Sequence, residues 1–286
     1  SGQNKQMQRR NFDDNNEMAR AAVHNRGDER QGEGTLEYAP IDGDAVVMGE
    51  LGAAAARALG RRSDEVAAWN KARVAAEQDQ TRNRHLGLAA AAPRAGEKDV
   101  AAEAYVAAFR HPLGLMPPGR EVAWLLNYLP ENDRPEDLLA VTGRLLQWEA
   151  DEPALVNNAV YLSLILGQPV GEAGVGIMEP IVERHPEIAG FRNTLALARL
   201  ETGDAAGALA LYSKLEDGSA EHGKVGDSFS SAGRAIYSLV QAENGDVQEF
   251  HAVAGTIRWE EMLEQERLFF EECFQPHRAP RDKESD

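Results

Sequence analysis

Residues 154–183, ALVNNAVYLSLILGQPVGEAGVGIMEPIVE, lie over residues 189–218, AGFRNTLALARLETGDAAGALALYSKLEDG, at an offset of thirty-five residues and without a gap. The offset pairs Asn158 with Asn193, Val160 with Leu195, Leu162 with Leu197, Ala173 with Ala208 and Ile177 with Tyr212. Self-similarity at this period is the signature of stacked helical hairpins, because each hairpin exposes an apolar face until the next copy covers it. Two helices cross closely only where a contact residue on each is small. Ala196 and Ala208 are expected at that crossing, with Leu195 and Tyr212 filling the space beside them. The turn needs a residue tolerant of positive φ, which Gly203 supplies, and Asp204 then stands where an N-cap is wanted.

With Leu195-Ala196 as the large and small pair of the first helix, Gly203-Asp204 at the turn, and Ala208 and Tyr212 on the second helix, the later copy resembles a tetratricopeptide (TPR) repeat. That resemblance implies an all-α fold, a right-handed α-α superhelix of helical hairpins. It also implies a noncatalytic adaptor or scaffold that binds a peptide or protein segment. In this family the first helices line a concave groove, and the second, fifth, ninth and twelfth repeat positions point into it. Carried onto the two copies, these are Leu155, Asn158, Leu162 and Ile165, then Gly190, Asn193, Leu197 and Leu200. Asn158 and Asn193 are the sharpest candidates, since an amide side chain can pair with the main chain of an extended peptide. The same groups could equally bond a neighbouring helix. The family's carboxylate-clamp groove uses lysine and arginine at such positions, and the neutral or apolar residues here argue against that class.

Further units fall on either side. Residues 82–115 carry Leu88-Ala89, Gly96, Ala101, Tyr105, Ala108 and a closing Pro112 in the same order. Residues 119–153 have the length of one unit, with helices expected over 120–130 and 135–153; Leu126 and Pro130 depart from the pattern. A divergent hairpin is expected over 228–258 around Asn244-Gly245-Asp246, with Phe250 where a small residue belongs. Residues 259–275 read as an amphipathic capping helix bearing Trp259, Met262, Leu263, Leu268, Phe269 and Phe270. Glu50–Leu59 and Ser63–Gln80 form a degenerate first hairpin in this reading. The polar segment 1–34 is expected to be disordered, the repeat domain to span 35–275, and 276–286 to form a mobile tail. About five units and a capping helix result.

Composition agrees. Of 286 residues 43% are hydrophobic and only 6% aromatic, as close helix contacts through alanine require. The net charge is −17, and because 1–34 and 276–286 are each balanced, all of it belongs to 35–275. So acidic a surface repels phosphate backbones and anionic lipid, which excludes nucleic acid as a direct partner. The charge serves solubility in its simplest reading and attraction for a basic partner in its functional one. The single Cys273 excludes an internal disulfide and a Cys-rich metal site. No run of eighteen apolar residues is present, so no membrane insertion is expected, and no signal peptide is visible. The opening Ser-Gly reads as a cloning remnant, so an upstream signal or anchor is compatible and the compartment stays open. The expected state is a monomer or weak homo-oligomer.

Several enzyme-like signals are outweighed. Gly218 to Lys224 matches the start of a phosphate loop, but Val225 follows where a hydroxyl must hold magnesium, and a helix precedes it rather than a strand. Gly226-Asp227-Ser228 resembles the nucleophile block of the SGNH esterases and lipases. That family ends in an Asp-x-x-His pair, and none occurs in the chain. A hydrolase with Ser228 as nucleophile is thus the alternative to the adaptor, and an architectural self-assembly module is a third class. The seven histidines show no metal spacing, so no catalytic residue, metal or cofactor is expected. His111 and His185 each precede a proline near the end of a second helix, where an imidazole suits the carbonyl end of the dipole.

Overall fold

The computed structural model of the protein describes residues 60–79, 96–110, 119–216 and 229–277, together with positions 49, 53, 56–57, 85–86, 88–89 and 92. The expectations for 1–34, for 218–224, for Gly226-Asp227-Ser228, for His111-Pro112 and for the tail beyond 277 lie outside the described residues. Every regular element among them is helical, as expected of an all-α chain. In order they are α1 (Arg62–Asp79), α2 (Lys98–Arg110), α3 (Gly119–Glu131), α4 (Pro135–Leu145), α5 (Pro153–Ile165), α6 (Gly171–Arg184), α7 (Ala189–Glu201), α8 (Ala205–Glu216), α9 (Ser231–Glu243), α10 (Val247–Ala254) and α11 (Glu264–Phe274). Short 3-10 turns at Trp259–Glu261 and Gln275–His277 flank α11. The chain divides into two compact units, one holding 130–139, 149–216 and 229–277, the other 60–79, 96–110, 119–129 and 140–148.

One turn design recurs. At the end of α7 the Gly203 amide donates to the Leu200 carbonyl at 3.0 Å and the Asp204 amide to the Arg199 carbonyl at 2.8 Å. Gly203 reaches this closure with φ of 82°, a conformation that a β-carbon would strain. Asp204 then caps α8, its Oδ1 accepting from the Gly207 amide at 2.9 Å. Asp246 repeats the arrangement between α9 and α10, accepting from the Glu249 amide at 2.9 Å. Among the described residues, the left-handed positions that close turns are Gly60, Gly96, Asp133, Gly167, Gly203 and Gly245, in steps of 36, 37, 34, 36 and 42, while Gly171, also left-handed, opens α6. A hairpin period is therefore written into the backbone well beyond the two copies that share side chains, and the longest step contains residues 217–228.

In the larger unit α7 is the central element, packed on α5, α6, α8 and α9. It is accordingly buried all round, from Phe191 through Ala198. Leu195, Ala196 and Ala208 are each 0–1% exposed, and Tyr212 sits beside them at 2%. Tyr212, Phe229 and Tyr237 form a triangle of edge-on rings with centroids 5.0–5.9 Å apart. Polar ties flank this core. Arg199 donates to the Gly207 carbonyl at 2.8 Å and pairs with Glu179 at 2.7 Å, joining α7 to α8 and α6. Glu201 accepts from the Gly171 amide at 3.0 Å, so a carboxylate from α7 satisfies the start of α6, which has no side-chain cap of its own. Extra methylenes at Ala208 have nowhere to go. Ala208→Leu is expected to destabilise by about 1–3 kcal/mol, and an unchanged urea midpoint would remove it from the crossing.

In the smaller unit α1 packs on α2. Trp124 stacks on Tyr128 with centroids 4.9 Å apart and tilts against Tyr105 at 5.9 Å, while the Tyr128 hydroxyl donates to Asp99 at 2.5 Å. The Arg144 guanidinium lies 4.8 Å over the Trp148 ring.

Three local expectations are corrected. The offset of thirty-five holds in neither helix: caps and turn residues set α5 and α7 thirty-six apart (Glu152 with Ile188, Gly167 with Gly203), which brings Asn157 rather than Asn158 into register with Asn193, and the second helices stand thirty-four apart. Ala173 is exposed and Ile177 is 52% exposed, while Gly174 and Met178 are buried in the places that Ala208 and Tyr212 hold thirty-four residues later. The α5–α6 connection has five residues (166–170) where α7–α8 has three (202–204), and the two extra residues take the offset from thirty-six in the first helices to thirty-four in the second. Helix α4 ends at Leu145 and does not run to 153, because Gln147 and Trp148 bond back by only three residues, to Arg144 and Leu145. The capping segment is likewise in two pieces: Met262 and Leu263 are extended between the 3-10 turn and α11.

Candidate functional site

The face made by the first helices α5, α7 and α9 is where the groove candidates were expected. Leu155, Asn158, Leu162, Ile165, Asn193 and Leu197 are all less than a tenth exposed, and Leu200 is half-buried. Asn193 has a structural bond: its Oδ1 accepts from the Tyr212 hydroxyl at 3.0 Å. Its amide nitrogen lies 2.7 Å from where a β-carbon on Gly233 would stand. A β-carbon at 233 would force the Asn193 amide to move, so Asn193 in its present position is set among α7, α8 and α9. The Asn158 Oδ1 accepts from the neighbouring Asn157 amide at 3.4 Å.

Part of this face is occupied by α11, which packs on both α5 and α9. Its buried residues are Glu266, Phe270 and Phe274, spaced at i, i+4 and i+8 along one stripe. Leu268, expected on the apolar side, is 48% exposed. At the start of α11 the Glu264 amide donates to Asp133 at 3.0 Å, and the Gln265 side chain donates to the Ile165 carbonyl at 3.1 Å. Glu266 accepts from the Tyr161 hydroxyl at 2.6 Å and from the Leu263 amide at 2.8 Å. At the far end Phe274 meets Phe250 and Trp259 edge-on, with centroids at 5.2 and 5.7 Å, and the His277 ring is 3.0 Å from Glu243.

Burial sets the electrostatics of this contact. It raises the Glu266 pKa above the usual carboxylate value, against the bonds from Tyr161 and Leu263 that favour the ionised form, and Asp133 adds to the rise. It also pushes the Tyr161 hydroxyl well above the usual phenol value, helped by Glu266. Partial burial raises Asp133 as well, opposed by the Glu264 amide. Sequence periodicity favours an apolar residue at 266, and the acid's partner is 105 residues away in the chain, so nothing local marks it.

A second buried charge lies on α7. Arg192 is 6% exposed, its Nε has no hydrogen-bond partner, and burial lowers its pKa from the ordinary guanidinium value. Taking a guanidinium largely out of water costs folding free energy unless it is paired, and among the described residues no ion pair to Arg192 is found. Arg192→Met, similar in length and apolar, is expected to stabilise by about 1–2 kcal/mol. A lower urea midpoint in the variant would show that the guanidinium contributes more than its desolvation costs.

Ser228 lies outside the described residues, and His251 is exposed on α10 with its ring 4.9 Å from Phe250. His185 follows α6 directly and stands edge-on to Phe191 at 5.9 Å. Among the described residues no group of three or more His, Cys, Asp or Glu is placed to hold a metal ion. Among them no helix is long and apolar enough to cross a membrane. Comparison with protein-family models, with curated proteins and with solved structures finds no match for this chain.

Proposed function

We propose that the chain is a noncatalytic adaptor, a TPR-like right-handed α-α superhelix that binds a protein segment on its first-helix face. The observation that carries this reading is the side-by-side packing of α5, α7 and α9 with an amphipathic helix, α11, already lodged against that row. A surface that seats one helix by two aromatic side chains and a few polar bonds has the chemistry of helix-in-groove recognition. The period of left-handed turn residues supports the repeat architecture, and the net charge of −17 supports a basic partner.

The test is hydrogen exchange on the full chain with and without a partner recovered by affinity capture. Added protection concentrated in α5, α7, α9 and α11 is the expected result. Protection confined to other segments would sink the reading, as would ester hydrolysis abolished by Ser228→Ala, the outcome that the hydrolase alternative requires. A sedimentation coefficient rising steeply with concentration, with no other partner, would favour self-assembly.

A further inference from the structure

Helix α11 is a thin and electrostatically ill-matched occupant of its seat. It is 11 residues long, about 16 Å, and buries a single stripe of Glu266, Phe270 and Phe274 while Leu268 stays half in solvent. A helix so short is marginal by itself and depends on what it packs against. Its ties to α5 and to Asp133 join residues 100–131 apart in sequence, and residues 255–263 alone connect it to α10. At the start of α11, Asp133 of the seat accepts the Glu264 amide but faces the Glu264 and Glu266 carboxylates, relieved by Arg267, and at the finish Glu243 of α9 and Glu272 both lie near Cys273. His277 is bonded to Glu243.

We infer that the seat of α11 is the docking site for a basic amphipathic helix carrying two aromatic residues one turn apart, which binds by displacing α11. The inference rests on the adaptor reading and names its partner class and its regulation. Such a helix keeps the two aromatic contacts of Phe270 and Phe274, replaces a buried carboxylate by a neutral or basic group, and answers Asp133 and Glu243 with positive charge. In the resting protein α11 competes from within the chain, so the apparent affinity for an outside helix falls by the fraction of time the seat is free.

The probes are two fluorescein-labelled peptides spanning residues 259–277, one of native sequence and one carrying Glu264→Lys, Glu266→Gln, Glu271→Lys and Glu272→Lys. Each is titrated into the full chain and followed by anisotropy, with hydrogen exchange of α11 recorded alongside. The basic peptide is expected to bind about tenfold more tightly than the native one at low salt, with α11 losing protection as it binds. Phe270→Ala in the full chain weakens the internal competitor, and both peptides are then expected to bind about tenfold more tightly. Should that variant fail to fold, Phe270→Leu weakens α11 more mildly from its own side and is expected to tighten both peptides in the same direction. Equal affinities for the two peptides, or binding with α11 still protected, would overturn the inference. Either result leaves the adaptor reading standing if a captured partner still protects α5, α7 and α9. Loss of that protection as well sinks both.

Discussion

Tyr212→Ala is expected to destabilise the larger unit by about 3–5 kcal/mol, the largest effect of any single substitution considered. Tyr212 is 2% exposed, holds the aromatic triangle with Phe229 and Tyr237, and gives its hydroxyl proton to Asn193. Truncation removes ring contacts on two sides and leaves the Asn193 oxygen in a buried site without its donor. Tyr212→Phe separates the two parts. It keeps the ring and loses only the hydroxyl, and about 1–3 kcal/mol is expected from the stranded acceptor. The comparison is made by urea denaturation of both variants beside Asn193→Ala. If Tyr212→Phe costs nothing, Asn193 is satisfied by another donor and becomes available to a partner's main chain.

Glu266→Gln is expected to act in the opposite direction, stabilising at neutral pH by about 1–3 kcal/mol. The amide fills nearly the same volume and keeps an oxygen for Tyr161 or Leu263, but it carries no charge into a buried site. The pH dependence follows from the direction of the shift. Because burial places the folded pKa of Glu266 above the ordinary carboxylate value, its favourable contribution is fully present below that ordinary value and is lost as pH rises through the raised one. The wild-type chain is thus expected to gain stability from this group as pH falls from neutrality toward about 4.5, and the Gln variant to lack that part of the slope. Parallel urea titrations at several pH values measure the difference, and identical slopes would mean that Glu266 is not buried in the ionised form.

The features legible in the amino-acid pattern are local ones. Turn closure by Gly203-Asp204 and Gly245-Asp246 was legible because glycine at positive φ and an aspartate N-cap act within six residues. Ala208 and Tyr212 were legible for the same kind of reason, since small and aromatic residues one turn apart on a helix face the same neighbour. The offset of thirty-five failed by one position in each helix of the pair, in opposite directions, because the register depends on a connection length that no apolar pattern encodes. The tertiary structure alone decided the rest. Asn193 keeps its place among three helices because Gly233, forty residues later in the chain, leaves room for its amide. A glutamate became part of a buried stripe because a tyrosine hydroxyl from α5 meets it there. Both are long-range pairings, and the free energy that selects them comes from desolvation and close packing between segments that are strangers in sequence.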